Sequence, residues 1–456
     1  MKILVIGTGY VGLVVANCFA ALKHQVLCFD KDTAKIEKMQ AGQLPFYEPD
    51  LEALLQNNLL EKCLVFVKRL DAAFDQVEVI FIAVGTPMCS GSTKADLSYL
   101  EAAVKEIATS MKSHKTIVIK STVPPGTTRF IQSLIRKINP NVDFDIVFNP
   151  EFLREGSAIY DFMHPDRIVF GIDHQGVKPI MDKLYTSFIA KNIPLLYTNF
   201  EGAELIKYTA NCFLATRIGL INEMANLCEK VGANIDAVIQ GIGLDKRIGT
   251  AYLKPGPGFG GSCFPKDMLA LTHLARTLKV PLSIIESVIK SNEHRKKQMI
   301  EKIIEACGGS VESKKIAILG TSFKANTDDM RDSPSLSIIQ GLHAGGATIV
   351  IYDPTLKSVN HLAIASDILW GQSVEIAIQD ADAIVITTEW EAFAHLNFET
   401  AKKNVVIIDL RNLYDPKRMR KKGLRYLSIG RPNKTLKKTC NPEQNSSAPC
   451  AAISTH

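Results

Sequence analysis

The chain has 456 residues, of which 46% are hydrophobic and 22% charged, which is ordinary for a soluble globular protein and too long for a single core. Its formal charge of +6 is uneven: Asp415–Lys438 holds ten Lys/Arg residues and one acid, and the remainder is slightly acidic. A basic segment of this kind keeps a surface solvated and falls short of a nucleic-acid site; scattered cysteines without metal-ligand spacing argue against a disulfide scaffold or a metal centre, and no apolar run nears the roughly 18 residues of a membrane span.

KILVI at the N-terminus reads as a buried strand rather than a signal peptide, so a cytoplasmic protein with free thiols is expected. GTGYVG and an apolar helix from Val11 to Leu22 follow, then a strand, QVLCFD, ending at Asp30. This is a βαβ unit carrying GxGxxG at Gly7, Gly9 and Gly12. The first glycine permits the turn, the second lets a pyrophosphate reach the helix N-terminus, and the third allows close packing. A carboxylate at Asp30 can hold both ribose hydroxyls and repels the extra phosphate of NADP, so NAD is the expected cofactor.

The buried strands VIFIAV (79–84), TIVIK (116–120) and DIVFNP (145–150) alternate with helical stretches, which predicts a doubly wound parallel sheet. Thr86 and Thr122 follow strand ends, where ligands bind, and are cofactor neighbours or plain turn residues. In NPEFLREG, Glu151 and Glu155 share a face if the segment is helical, as a solvated pair or as functional carboxylates.

From Asn199 to Gly232 the pattern is helical for about eight turns, long enough to bridge domains or form a dimer seam. Lys207 and Asn211 share an apolar face there; a lysine so placed usually snorkels to solvent, the alternative being an ammonium and an amide bracketing an oxyanion. GPGFGGSCFPKD (256–267) then sets Cys263 before a helix, with Pro265 in its first turn. Uncapped N–H groups and Lys266 favour thiolate, Asp267 lies one turn on as a base or water-positioner, and Gly258, Gly260 and Gly261 let a ligand approach. Cys263 is thus a nucleophile or a buried structural cysteine.

At Lys315 strand–helix alternation restarts: KIAILG (315–320), a helix from Ser333 to Ala344, TIVIYDP, AIVITT (383–388) and VVIIDL (405–410). This weak duplication lacks GxGxxG and is expected to bind something other than a dinucleotide. The expected domains are 1–198 (NAD-binding), 199–306 (central helical, with the cysteine loop), 307–430 (a second Rossmann-like domain) and a disordered tail, 431–456.

Taken together, GTGYVG, NPEFLREG, KYTANCFLA, YLKPGPGFGGSCFPKD and FKANTDDMRDSPS resemble the UDP-glucose/GDP-mannose dehydrogenase family, from Met1 to about Leu427. The resemblance implies two Rossmann-like domains joined by a long dimerising helix, the second domain binding UDP. It implies four-electron oxidation of a sugar-nucleotide C6 alcohol, UDP-glucose to UDP-glucuronate, with two NAD and a thiohemiacetal and thioester on Cys263. GSAIYDFMHPDRIVFG (156–171) points to the UDP-glucose branch over GDP-mannose or UDP-N-acetyl sugars. Cys263, Lys207 and Asp267 together argue against a mere nucleotide-sugar sensor.

By the same resemblance, Lys207 and Asn211 stabilise the oxyanion, Asp267 works with water, and Thr122 and Glu151 handle protons. Val11, Lys35, Thr86, Glu155, Lys266 and Arg331 match cofactor contacts. Glu151 to Glu155 (with Phe152, Leu153 and Arg154), Lys207 and Asn211 match substrate contacts. Tyr252, Leu253, Lys254, Pro255 and Gly256 also do, as do Gly260 and Lys324, with Arg411 and Arg247 as further contacts; Arg247 is expected to reach a partner's site. A homodimer, without nucleic acid or membrane partners, follows.

Overall fold

Short strands buried on both faces build two separate sheets in the computed structural model, which describes residues 1–70, 74–356 and 367–432. The first sheet comprises β1 (Lys2–Ile6), β2 (Gln25–Phe29), β3 (Leu64–Val67), β4 (Val79–Ile82), β5 (Lys115–Ile119), β6 (Phe144–Phe148), β7 (Ile168–Gly171) and β8 (Leu195–Thr198). Their order is β3-β2-β1-β4-β5-β6-β7-β8. Neighbours are parallel except β6 and β7, which meet antiparallel at Phe148 and Gly171.

The second sheet is wholly parallel: β9 (Lys315–Leu319), β10 (Thr348–Tyr352), β11 (Leu369–Trp370), β12 (Ala383–Ile386), β13 (Val406–Asp409) and β14 (Arg425–Ser428). Its order, β11-β10-β9-β12-β13-β14, repeats the first six strands of the other sheet. Both are doubly wound with a switch point beside their first strand, where ligands bind. Both glycines that end the first strand are left-handed, Gly7 at φ +92° and Gly320 at φ +95°. The following carboxylates differ. Asp353 is buried and filled by Thr321 N, Ser322 N and the Trp390 indole, whereas Asp30 stays half-buried at its sheet edge.

Five helices place the chemistry: α1 (Tyr10–Ala21), α2 (Thr127–Ile138), α3 (Phe200–Val231), α4 (Phe264–Thr277) and α5 (Ser283–Ala306). α3 has 32 residues, about 48 Å of axis. The Asn199 side chain caps its start by accepting from Gly202 N at 2.9 Å, and left-handed Gly232 ends it. Its first turn, through Phe200 and Ala203, packs into the core of the first sheet, while Ile221, Ala225 and Cys228 join that of the second. One rigid rod therefore ties both sheets together. Of the expected tail, Arg431 is bound to Asp236 at 2.7 Å and to the Tyr414 carbonyl at 2.9 Å, and 433–456 lie outside the described residues.

Candidate active site

The turn after β1 is shaped for a dinucleotide. A Cβ at Gly12 would lie 1.9 Å from the Gly7 carbonyl, while one at Gly9 would meet open space. Gly9 begins α1 with no side-chain cap, so the helix's first N–H groups face outward for a phosphate. Thr8 donates to Asp30 through N and Oγ1, both at 2.8 Å, and Lys35 Nζ stands 3.3 Å away. Burial pushes the Asp30 carboxyl up, but the Thr8 and Asp32 amides and Lys35 outweigh it and hold it below the usual range. It is ionised at neutral pH, as a ribose acceptor must be.

Asp30→Ala is therefore expected to raise the KM for NAD roughly 10- to 100-fold, the worth of hydrogen bonds to a charged group, and to relax selection against NADP. Kinetics with both cofactors check this; an unchanged preference would remove Asp30 from the ribose site.

Two cavities open at the carboxyl edge of the first sheet. One, about 750 Å³, is walled by Gly9, Val11, Thr86, Thr122, Lys266 and Arg331. The other, about 570 Å³, is walled by Phe152, Arg154, Asn211, Tyr252, Lys207 and Lys324. They share a partition: Lys120, Glu151, Leu153, Glu155, Ser262 and Cys263 face both. Cys263 stands at the junction as the N-cap of α4.

Its thiol is not the expected resting thiolate. Burial pushes it up to about 11; Lys207 and Lys266 pull it down, but Glu151 and Asp267 oppose them. Desolvation beside two carboxylates outweighs the helix terminus.

Lys207 does not snorkel. It is buried, and Nζ bonds Glu151 Oε1 at 2.9 Å. Burial works against the ammonium, yet Glu151, Cys263 and Asp267 raise its pKa overall. Burial likewise works against the Glu151 carboxylate, and Lys207, the Leu153 amide and Lys120 hold it low. The helical reading of Glu151 and Glu155 fails: the segment is irregular, because Glu151 turns back to accept from Leu153 N at 2.6 Å. Glu155 accepts instead from Ser262 Oγ at 3.0 Å and Thr327 Oγ1 at 3.3 Å, with Arg331 at 3.7 Å. Burial and Asp329 push its carboxyl up to about 7.

Asp267 is fully buried and lies on neither cavity wall. It accepts from Asn211 Nδ2 at 2.7 Å and Lys266 Nζ at 2.5 Å, so it aims the two groups that do face the cavities. Thr122 faces the larger cavity, and its carbonyl receives Thr86 Oγ1 at 2.7 Å.

Other expected contacts stand further off. Arg247 is exposed on a turn, bonded to Asp245, and touches neither cavity. Leu253 is buried in the core of the second sheet. Lys254, Pro255 and Gly256 continue away from the walls toward Arg411, whose Nη1 lies 3.0 Å from where a Gly256 Cβ would be. Gly260, by contrast, lines the smaller cavity, and a Cβ there would meet the Asp332 carbonyl at 2.3 Å. Arg411 itself is held by the Thr387 and Phe323 carbonyls and by Glu389, at 2.7, 2.9 and 3.0 Å.

Sequence reasoning missed the fasteners of this loop: Asn222, which accepts from Gly256 N, Asn292, which bonds Phe259 through both N and O, and Arg295, which donates to the Gly256 carbonyl. It also missed Lys120, whose one signal was a charge closing an apolar strand.

A dinucleotide turn opening onto a cavity that shares a thiol-bearing partition with a second cavity defines a nicotinamide-dependent oxidoreductase. Three family models match in succession: the NAD binding domain over residues 1–189, the central domain over 201–294 and the UDP binding domain over 317–416. The chain belongs to the UDP-glucose/GDP-mannose dehydrogenase family, and NAD is its cofactor. It is 46% identical over 439 residues to a UDP-glucose 6-dehydrogenase of Rhizobium meliloti, covering 95% of this chain and 100% of that protein. A solved UDP-glucose dehydrogenase from Pyrobaculum islandicum superposes with a TM-score of 0.85 at 34% identity, covering 91% of this chain and 95% of that one. A UDP-D-ManNAc dehydrogenase from Pyrococcus horikoshii gives 0.82 at 28%, covering 94% and 99%.

Proposed function

We propose that the protein oxidises UDP-glucose to UDP-glucuronate with two NAD per turnover, holding the half-oxidised sugar on Cys263. The observation that carries this reading is the position of Cys263 on the partition between the two cavities, with Lys207 and Asn211 on the sugar side. The relatives named above for UDP-glucose add to it.

NAD, when bound at Gly9, Asp30 and the larger cavity, supplies the hydride-accepting ring for both two-electron oxidations. Lys207 and Asn211 present an ammonium and an amide to the C6 oxygen. Cys263 Sγ attacks the aldehyde carbon, forming a C–S bond and giving up its proton, while the oxygen takes the charge opposite Lys207. An aldehyde must become tetrahedral before it can lose a second hydride, and the bond also prevents its escape. From the thioester level, water adds, the C–S bond breaks, the carboxylate leaves and sulfur regains a proton. Asp267 aims Asn211 and Lys266 for these steps, and Thr122 and Glu151 pass protons to and from water in the hydrolytic step. Arg411 and Lys324 beside the second sheet, with Lys254 on the loop before Cys263, hold the diphosphate end.

A homodimer belongs to the same reading. Phe213, Leu220 and Leu227 recur every seven residues on α3 and are 62%, 54% and 53% exposed, and a partner would also bring Arg247 toward a site. Among the described residues no helix is long and apolar enough to cross a membrane, and eight cysteines are free, in keeping with a cytoplasmic location.

Incubation with NAD and UDP-glucose, GDP-mannose or UDP-N-acetyl sugars tests the assignment. Two NADH per UDP-glucose are expected; turnover confined to GDP-mannose would overturn it.

A further inference from the structure

Oxidising an alcohol frees a proton as well as a hydride, and most groups on and beside the partition are poor acceptors. Lys207 already carries its proton, Glu151 is held ionised and weakly basic, and Cys263 is a thiol. Lys120, directly after β5, takes no part in the steps assigned above. It is buried, and it faces both cavities. Nζ donates to Asn149 Oδ1 at 3.0 Å and to the Pro150 carbonyl at 3.4 Å. Asn149 is itself fixed by the Tyr185 hydroxyl at 2.7 Å and by its donation to the Val169 carbonyl at 2.9 Å. An ammonium has three N–H bonds to place, and two acceptors are present; a neutral amine has two, which the acceptors satisfy, leaving its lone pair free.

We propose that Lys120 is the proton acceptor of the first oxidation, taking the sugar's C6 hydroxyl proton on a lone pair that Asn149 and the Pro150 carbonyl leave free. The O–H bond breaks and an N–H bond forms, giving an ammonium beside Glu151. The C6 hydride leaves with its electron pair to NAD, the cofactor of the family, and the ammonium later returns its proton to water. The charged groups around the amine agree with this. Burial lowers Lys120, Glu151 on the segment after β6 raises it and Lys207 on α3 lowers it, with a net result of about 7, and Tyr185 is kept protonated by burial. An acceptor titrating near the working pH is the most effective kind. Since it must be deprotonated to act, activity rises with pH through neutrality. The rival is Glu155, also near 7, but its oxygens are occupied by Ser262 and Thr327.

This inference rests on the proposed oxidation of UDP-glucose, and the experiment separates the two. If the wild-type protein makes no NADH from UDP-glucose, the substrate assignment fails. If it does, kcat is followed against pH for wild type, Lys120→Arg, Lys120→Ala and Glu155→Gln. Lys120→Arg keeps charge and donors but has no free lone pair, so kcat is expected to fall roughly 10²- to 10⁴-fold with little change in KM for UDP-glucose. Its rising limb near neutral pH is expected to vanish, and methylamine is expected to restore part of the Lys120→Ala activity. Competitive acetylation of Lys120, read by mass spectrometry without cofactor, is expected to switch on near the same pH. A Lys120→Arg protein with wild-type rate and pH limb, or loss of that limb in Glu155→Gln alone, would overturn the proposal.

Discussion

Replacing Cys263 with serine is expected to abolish steady turnover, with a loss on the order of a thousandfold or more, as when a covalent nucleophile is removed. The change is small in volume, and serine is a favoured N-cap, so α4 keeps its start. What is lost is nucleophilicity. The thiol rests at about 11, within reach of ionisation once an aldehyde lies between Sγ and the Lys207 ammonium; a serine hydroxyl titrates far higher. Calorimetry is expected to find UDP-glucose binding nearly unchanged, while NADH production stops near the first equivalent. Turnover within a few-fold of wild type would remove the covalent role.

Lys207→Met is expected to damage the protein on two counts. It deletes the ammonium opposite the developing oxyanion, costing about 10²- to 10³-fold in kcat. It also leaves the Glu151 carboxylate buried without its partner, a loss of about 3–5 kcal/mol in stability. The pH dependence has a definite sign. The paired Glu151 has a lowered pKa, so its contribution is present above the ordinary carboxyl range and disappears as pH falls. Lys207 has a raised pKa, so its contribution disappears only as pH rises through the lysine range. Without Lys207, only the Leu153 amide and Lys120 oppose the burial of Glu151, and the variant should be weakest at alkaline pH and recover partly in mild acid as Glu151 protonates. Adding Glu151→Gln should restore much of the thermal stability and none of the activity. A single variant as stable as wild type at every pH would show that the pair contributes nothing.

Strand–helix alternation was legible because strands buried on both faces read as apolar runs such as KILVI and AIVI. β8 is only partly buried, β11 has two residues and β14 opens on an exposed arginine, so none of them stands out from the loops around it. In the site, residues joined by local spacing were found and long-range pairings were not. Lys207 and Glu151 are far apart in sequence, and nothing near either shows that one neutralises the other. The Glu151 and Glu155 spacing misled because a side-chain bond to Leu153 N replaced the helical turn. At Cys263 the helix terminus was visible, but not the burial that outweighs it. The family resemblance, not the spacing, gave Lys207 and Asn211 their chemical roles.

The most direct test of a sulfur-held sugar is turnover of UDP-glucose with NAD in the presence of hydroxylamine. The account predicts two NADH per sugar, with part of the product diverted from carboxylate to hydroxamate by interception of the thioester, and no oxime. An oxime formed with a single NADH would mean that the aldehyde leaves free, and would contradict it.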